Sequence, residues 1–255
     1  MNRQKKVLLT IISTFLLSSC INQGQMSAQQ ENALGAQQER ALLSKVQTIQ
    51  HGTYYNAVRR VGSRIARVAN RPNFQWSYHL IKNDKQANAF VLPGGKIFVY
   101  TGLFKYAANE AQLAAVVGHE VAHALKSHGV KGAQRKQNAG LVGVLLQVGM
   151  GVAGVDPALA KQVNQVYGQG ATLGYIRPYS RQNESEADSI GLMLMAKAGY
   201  DPREALRFWE KFARQGQYIP EYLSTHPAPE TRIENLRRLM PQAVAIYNQY
   251  KGRKH

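Results

Sequence analysis

His119, Glu120 and His123 stand in the order His-Glu-Val-Ala-His inside the alanine-rich run 109–128, which holds no proline. On an α-helix each residue advances about 100°, so positions four apart lie within about 40° of each other and about one turn apart. Two imidazoles at that spacing reach a single tetrahedral Zn²⁺, and a glutamate beside them is placed to act as a base toward water. Asn109 with Gln112 caps the start of the helix. The helical wheel puts Leu113, Ala114, Val117, Val121, Ala124 and Leu125 on one broad apolar side, and His119 and His123 with Gln112 and Lys126 on the other. A mostly buried helix that carries two histidines and a glutamate needs a charge partner, and a metal ion is one.

Two histidines do not complete such a site. The metzincin pattern would place a glycine at position 126 and a histidine at 129, but Lys126 and Gly129 stand there, which excludes that class. A second helix is predicted from Arg181 to a glycine stop at Gly199, with an apolar stripe of Ala187, Gly191, Leu194, Met195 and Ala198. Glu184 and Asp188 fall on that stripe, and Glu186 falls roughly opposite, with Lys197. Carboxylates on a buried face demand a metal, histidine or arginine partner. Glu184 is therefore assigned to zinc, Asp188 to the second ring nitrogen of a zinc histidine, and Glu186 to solvent. A helix-start acid stays open as the bland account of Glu184, and a salt bridge with an arginine such as Arg181 as that of Asp188. His128 is taken as structural or on the surface.

These side chains need a frame. A helix or pair of helices is predicted over about 41–69, where Val58, Val61, Ile65 and Val68 recur at helical spacing, ended by Pro72. Residues 74–81 alternate like a strand, and 89–101 read as two strands around Pro93-Gly94-Gly95. The expected fold class is α+β: mostly helical and zincin-like, with a small sheet whose edge strand borders the active-site helix and can pair with an extended peptide. The Gly-rich apolar run 140–155 contains Gln147 and is shorter than the roughly 20 residues a spanning helix needs. It is expected to pack as a loop-helix over the site, with insertion into a lipid surface the alternative.

The first 20 residues have a separate character. Arg3, Lys5 and Lys6 precede an apolar core from Val7 to Leu17, the make-up of a secretory signal. Leu17-Ser18-Ser19-Cys20, with the chain's one cysteine, resembles the bacterial lipoprotein box. That resemblance implies a signal peptide over 1–19, acylation of Cys20, and no disulfide in the mature chain. Ile21 in place of an aspartate implies the outer membrane of a Gram-negative bacterium, facing the periplasm. Residues 20–45, rich in Gln, Ser, Ala and Gly, are read as a lipid-anchored tether, and 46–255 as the metallopeptidase domain.

The full chain carries +17, and removing Arg3, Lys5 and Lys6 leaves +14. Such a balance favours acidic partners, an anionic lipid surface among them. The basic residues are spread along the chain apart from Arg237-Arg238 and the tail 251–255, so no nucleic-acid partner is expected.

Four ordered motifs together carry a resemblance. His119-Glu-Val-Ala-His123 and Glu184-Ser-Glu-Ala-Asp188 are preceded by Asn88-Ala-Phe-Val-Leu-Pro-Gly-Gly-Lys-Ile-Phe-Val-Tyr-Thr-Gly102 and followed by Thr225-His-Pro-Ala-Pro-Glu-Thr-Arg-Ile233. Over about 50–240 the chain resembles the HtpX-like and CaaX-prenyl-protease-like zinc metallopeptidases, and within them their periplasmic lipoprotein members. The resemblance implies a gluzincin endopeptidase with one Zn²⁺ on His119, His123 and Glu184, and Glu120 as base. Its substrates would be misfolded or membrane-associated proteins, as in protein quality control. It also implies that His226 can sit on the fourth zinc position and shut the site, or else stabilise the oxyanion; Arg232 then orients His226 or binds Asp188. Two other readings stay open: a zinc-bearing outer-membrane assembly factor or holdase with little proteolysis, and a non-enzymatic lipid-surface protein.

Overall fold

The computed structural model describes residues 26–129, 131, 180–214, 226 and 229–252. Cys20 and the run 140–155 lie outside them. The first element is a helix, α1 (Ala28–Leu43), opened by a reciprocal cap in which Ser27 N–H donates to Gln30 Oε1 (2.8 Å) and Gln30 N–H donates to Ser27 Oγ (3.2 Å). Within the stretch 20–45 expected as a tether, residues 28–43 are a docked helix. Its composition is polar because its docking is polar. Glu31 is buried, accepts from Ser127 Oγ (2.8 Å) and pairs with Arg71 (3.3 Å), while Glu39 lies 2.7 Å from His79 Nε2. Gly35 meets the backbone of Pro93 so closely that no Cβ would fit.

A short strand β1 (Thr48–Ile49) leads to α2 (Thr53–Val68), which buries Val58, Val61 and Ile65 as its periodicity predicts. Strands β2 (Ser77–Ile81), β3 (Ala89–Leu92) and β4 (Lys96–Tyr100) complete a mixed sheet in the order β1-β2-β4-β3. β2 runs parallel to β4 from Ser77↔Lys96 to Ile81↔Tyr100, and β3 pairs antiparallel with β4 from Ala89↔Val99 to Leu92↔Lys96. The tight β3–β4 connection needs φ of +70° at Gly94 and +86° at Gly95, the left-handed region that favours glycine. One sheet face, with Leu80, Ile97 and Val99, packs into the helical core. The other, with Ile81, Phe90, Phe98 and Tyr100, is covered by Leu42, Leu43 and Val46 from the end of α1 onward.

Among the described residues four α-helices follow: α3 (Glu110–Leu125), α4 (Arg181–Lys197), α5 (Arg203–Arg214) and α6 (Pro229–Tyr250). The edge strand β3 lies against α3, as expected for the strand bordering the motif helix. α3 is buried as expected, with every residue from Gln112 to His123 out of water. The face assigned to polar residues meets α4, not water. A Cβ at Gly191 would stand 2.7 Å from the backbone nitrogen of His119, and one at Gly118 would stand 2.8 Å from the carbonyl oxygen of Gly191. Glycine on both helices thus lets the two backbones touch, and that contact sets Glu184 opposite the histidines.

Candidate active site

α3 begins as predicted: Gln112 N–H donates to Asn109 Oδ1 (2.9 Å). One turn separates His119 and His123, and their Nε2 atoms lie 3.0 Å apart. Glu184 comes from the first turn of α4, with Oε2 3.4 Å from His119 Nε2 and Oε1 3.2 Å from His123 Nε2. His226, ahead of α6, brings Nδ1 to 3.3 Å from His119 Nε2 and 3.2 Å from Glu184 Oε1. All four side chains are buried, and one ligand atom from each lies within 4.8 Å of the others.

The donor set tests whether a zinc ion fits. Bonds of about 2.0–2.2 Å to a tetrahedral zinc put neighbouring ligand atoms about 3.3–3.6 Å apart. Five of the six separations here run from 3.0 to 3.4 Å, and all six are within 4.8 Å. Two imidazole nitrogens 3.0 Å apart in a water-poor core need a proton or a metal cation between them. Three imidazoles with one carboxylate suit zinc. The residues fit the ion.

Protonation in the metal-free chain points the same way. Burial opposes charge on His119, as does Arg232, but the carboxylates of Glu184 and Asp188 outweigh both and raise it to about 9. Burial would raise Glu184, yet the surrounding imidazoles hold its carboxyl far below the usual range. Burial holds His123 well below the ordinary histidine value, so it is a neutral ligand near pH 7. The centre is built around a positive charge.

Asp188, one turn after Glu184, lies 2.9 Å from His119 Nδ1, which leaves Nε2 for the metal. Arg232 of α6 donates through Nε to Asp188 Oδ2 (2.9 Å) and through Nη2 to Oδ1 (2.7 Å), and its Nη1 stands 3.2 Å from Glu184 Oε2. The partner of Asp188 is thus Arg232, not Arg181, and Arg232 also reaches Glu184. Glu120 is buried with Oε1 3.3 Å from His226 Nε2. All the proposed site residues within the described chain therefore meet in one place.

Sequence reasoning missed three neighbours. Trp209 of α5 lies under Arg232, whose guanidinium carbon is 3.9 Å from the ring centroid, and meets His119 edge-on at 5.9 Å. His128 is buried and reaches His123, with the two Nδ1 atoms 3.0 Å apart; its Nε2 is 2.9 Å from Glu186. Glu186 is half-exposed but not merely solvated, since it also pairs with Lys126 at 2.5 Å. The signal for His128 was its place five residues after His123, just beyond the end of the helix. Trp209 left no signal in spacing.

The model for peptidase family M48 matches residues 55–240 of the chain. The chain belongs to peptidase family M48. It is 37% identical over 185 residues to the mitochondrial metalloendopeptidase OMA1 of Saccharomyces cerevisiae, covering 69% of this chain and 50% of the relative. It is 31% identical over 244 residues to the beta-barrel assembly-enhancing protease of Yersinia pestis, covering 88% of this chain and 48% of the relative. Human OMA1 is 36% identical over 67% of this chain and 33% of its own length. The chain spans about half the length, or less, of these curated relatives. M48 is a family of zinc-dependent metallopeptidases, which agrees with the donor set of His119, His123, Glu184 and His226.

Proposed function

We propose that this M48 chain is a zinc endopeptidase of the bacterial cell envelope that hydrolyses misfolded or membrane-associated proteins and is closed by its own His226. The observation that carries the reading is the placement of His226: Nδ1 at the fourth corner of the metal group and Nε2 3.3 Å from Glu120. One side chain thereby covers both the corner where a substrate would enter and the base. Zn²⁺ on His119, His123 and Glu184 would polarise a peptide carbonyl and make water easier to deprotonate. Glu120 accepts the proton from the attacking water and returns it to the leaving amine. Asp188 and Arg232 hold His119 and Glu184 in place. The outer edge of β3 offers main-chain groups to an extended peptide, which selects unfolded segments by backbone more than by sequence. Once His226 withdraws, its imidazole is available to donate to the oxyanion.

The envelope location rests on the signal-like start and on Cys20, which would fix the chain to the outer membrane by an acyl group; the net charge supports contact with anionic lipid. None of the described helices is long and apolar enough to cross a membrane. The closed site also favours a second reading, a zinc-bearing assembly factor or holdase with little proteolysis. Zinc content paired with casein cleavage separates the two, using residues 21–255 as wild type, Glu120→Gln and His226→Ala. The peptidase reading expects one zinc per chain, cleavage lost in Glu120→Gln and raised in His226→Ala. Zinc without cleavage in any variant supports the holdase, and no zinc defeats both.

A further inference from the structure

Four residues would hold the zinc ion, but a ligand imidazole also has a second nitrogen, and what that nitrogen meets fixes the ring's orientation and basicity. For His119 the partner is Asp188. For His123 the sequence names none. The structure supplies one from the turn that ends α3. Lys126 N–H donates to Ala122 O (3.1 Å), Ser127 N–H donates to Ala124 O (3.0 Å), and Ser127 takes φ +52°, a left-handed value uncommon outside glycine. That reversal folds the next residue back under the helix. His128 is carried to Nδ1–Nδ1 contact with His123 at 3.0 Å, although only five residues separate them. Ser127 is itself tied by Oγ to the buried Glu31 of α1 (2.8 Å), so the unusual backbone is held from outside the turn.

The geometry points to a relay that positions His123: His128 receives its hydrogen bond, Glu186 receives that of His128, and Lys126 fixes Glu186. Proton placement follows from the atoms. His123 Nε2 faces His119 and Glu184, so it is the ligand nitrogen and Nδ1 carries the hydrogen. That hydrogen requires an acceptor, which makes His128 Nδ1 unprotonated and puts the hydrogen of His128 on Nε2. Nε2 stands 2.9 Å from Glu186 Oε2, a carboxylate that accepts it, while Lys126 Nζ holds the other oxygen, Oε1, at 2.5 Å. The arrangement is a carboxylate–histidine–metal triad with one imidazole inserted. His128 touches neither substrate nor ion and is a positioning residue. The inference rests on the zinc peptidase reading above, since it concerns the fit of His123 to that ion.

The test uses residues 21–255 with zinc affinity measured by competition against a chromophoric chelator. His128→Leu removes the acceptor at similar volume, whereas His128→Asn restores it, because Asn Oδ1 occupies the branch position of His Nδ1. The relay predicts that His128→Leu weakens zinc binding about 10- to 100-fold. His128→Asn should stay within a few-fold of wild type, and Glu186→Gln should lie between them. Cobalt-substituted His128→Leu should also show displaced visible bands, a sign of altered ligand geometry that loss of packing elsewhere would not give. Equal zinc affinity in His128→Leu and wild type overturns the relay. So does a His128→Asn protein that folds and binds no better than His128→Leu. If the leucine variant fails to fold, Glu186→Gln, at the exposed end, decides: weakened zinc supports the relay and unchanged zinc overturns it. A wild-type chain without zinc overturns both this inference and the functional reading, whereas tight zinc in wild type and His128→Leu alike overturns the relay alone.

Discussion

The two histidines of α3 share a motif but are held by opposite means. Behind His119 stand Asp188, Arg232 and Trp209, all buried and all from different helices: α4, α6 and α5. Behind His123 stand His128, Glu186 and Lys126, two of them from the turn after α3, ending at a carboxylate whose side chain is 40% exposed. The first support is an ion pair that cannot be reached by water and ties three helices to one ligand. The second is a chain of hydrogen bonds that leads from the ligand to the surface. In a dry interior a charge without its partner is costly, whereas at the surface water replaces a lost partner. The His119 side should therefore determine whether the helices assemble, and the His123 side should tune how well the ion is held.

That contrast breaks most clearly at Asp188. Asp188→Ala leaves Arg232 buried with Glu184 as its remaining carboxylate, and should cost about 3–5 kcal/mol of stability in denaturant titration, with loss of zinc. A smaller effect, about 1–3 kcal/mol, is expected for Gly191→Ala, whose methyl group would stand 2.7 Å from the His119 nitrogen. Zinc affinity should fall with it, because the helices must part where Glu184 meets the histidines. A Gly191→Ala protein with unchanged stability and zinc affinity would show that the close crossing is not what sets the site.

Acidity divides the two sides further. In the metal-free chain His119 is raised to about 9, so its contribution to stability is full below the unfolded value near 6.5 and is lost as pH rises toward 9. Burial lowers His123 and His128, so the unfolded chain takes up protons before the folded one does, and these two destabilise the fold as pH falls below about 6.5. Asp188 is lowered by Arg232 and His119 against its burial, so what it contributes persists through pH 4 and is lost only in stronger acid. Thermal unfolding of the metal-free chain should thus show greatest stability near neutral pH, declining on both sides. The smallest change is expected from Lys126→Ala. Its pair with Glu186 joins side chains 43% and 40% exposed and should be worth about 0–1 kcal/mol, vanishing in high salt.

The sequence made the His119 side legible and hid the rest for physical reasons. Glu184 and Asp188 stand out as acids on an apolar stripe, a pattern that points to buried partners. Arg232 is a candidate from its motif, but its contact with Asp188 depends on how α6 crosses α4. The roles of His128 and Glu186 are hidden in the sequence, because the left-handed Ser127 brings His128 to His123 and the packing of α4 brings Glu186 to His128. The wheel for α3 does not show what covers its histidine side, and Gly118 and Gly191 let α4 pack there. The two strands around Pro93-Gly94-Gly95 were recoverable since the turn chemistry is explicit. α1 was not, because its contacts through Glu31 and Glu39 are polar and carry no periodic signature.

The most direct test of the central claim is X-ray absorption on the zinc-loaded chain, comparing wild type with His226→Ala. The account predicts three imidazole nitrogens and one carboxylate around zinc in wild type, at about 2.0–2.2 Å, and one imidazole fewer in His226→Ala with the ion retained. An identical number of imidazole ligands in both proteins would contradict the closure of this site by His226.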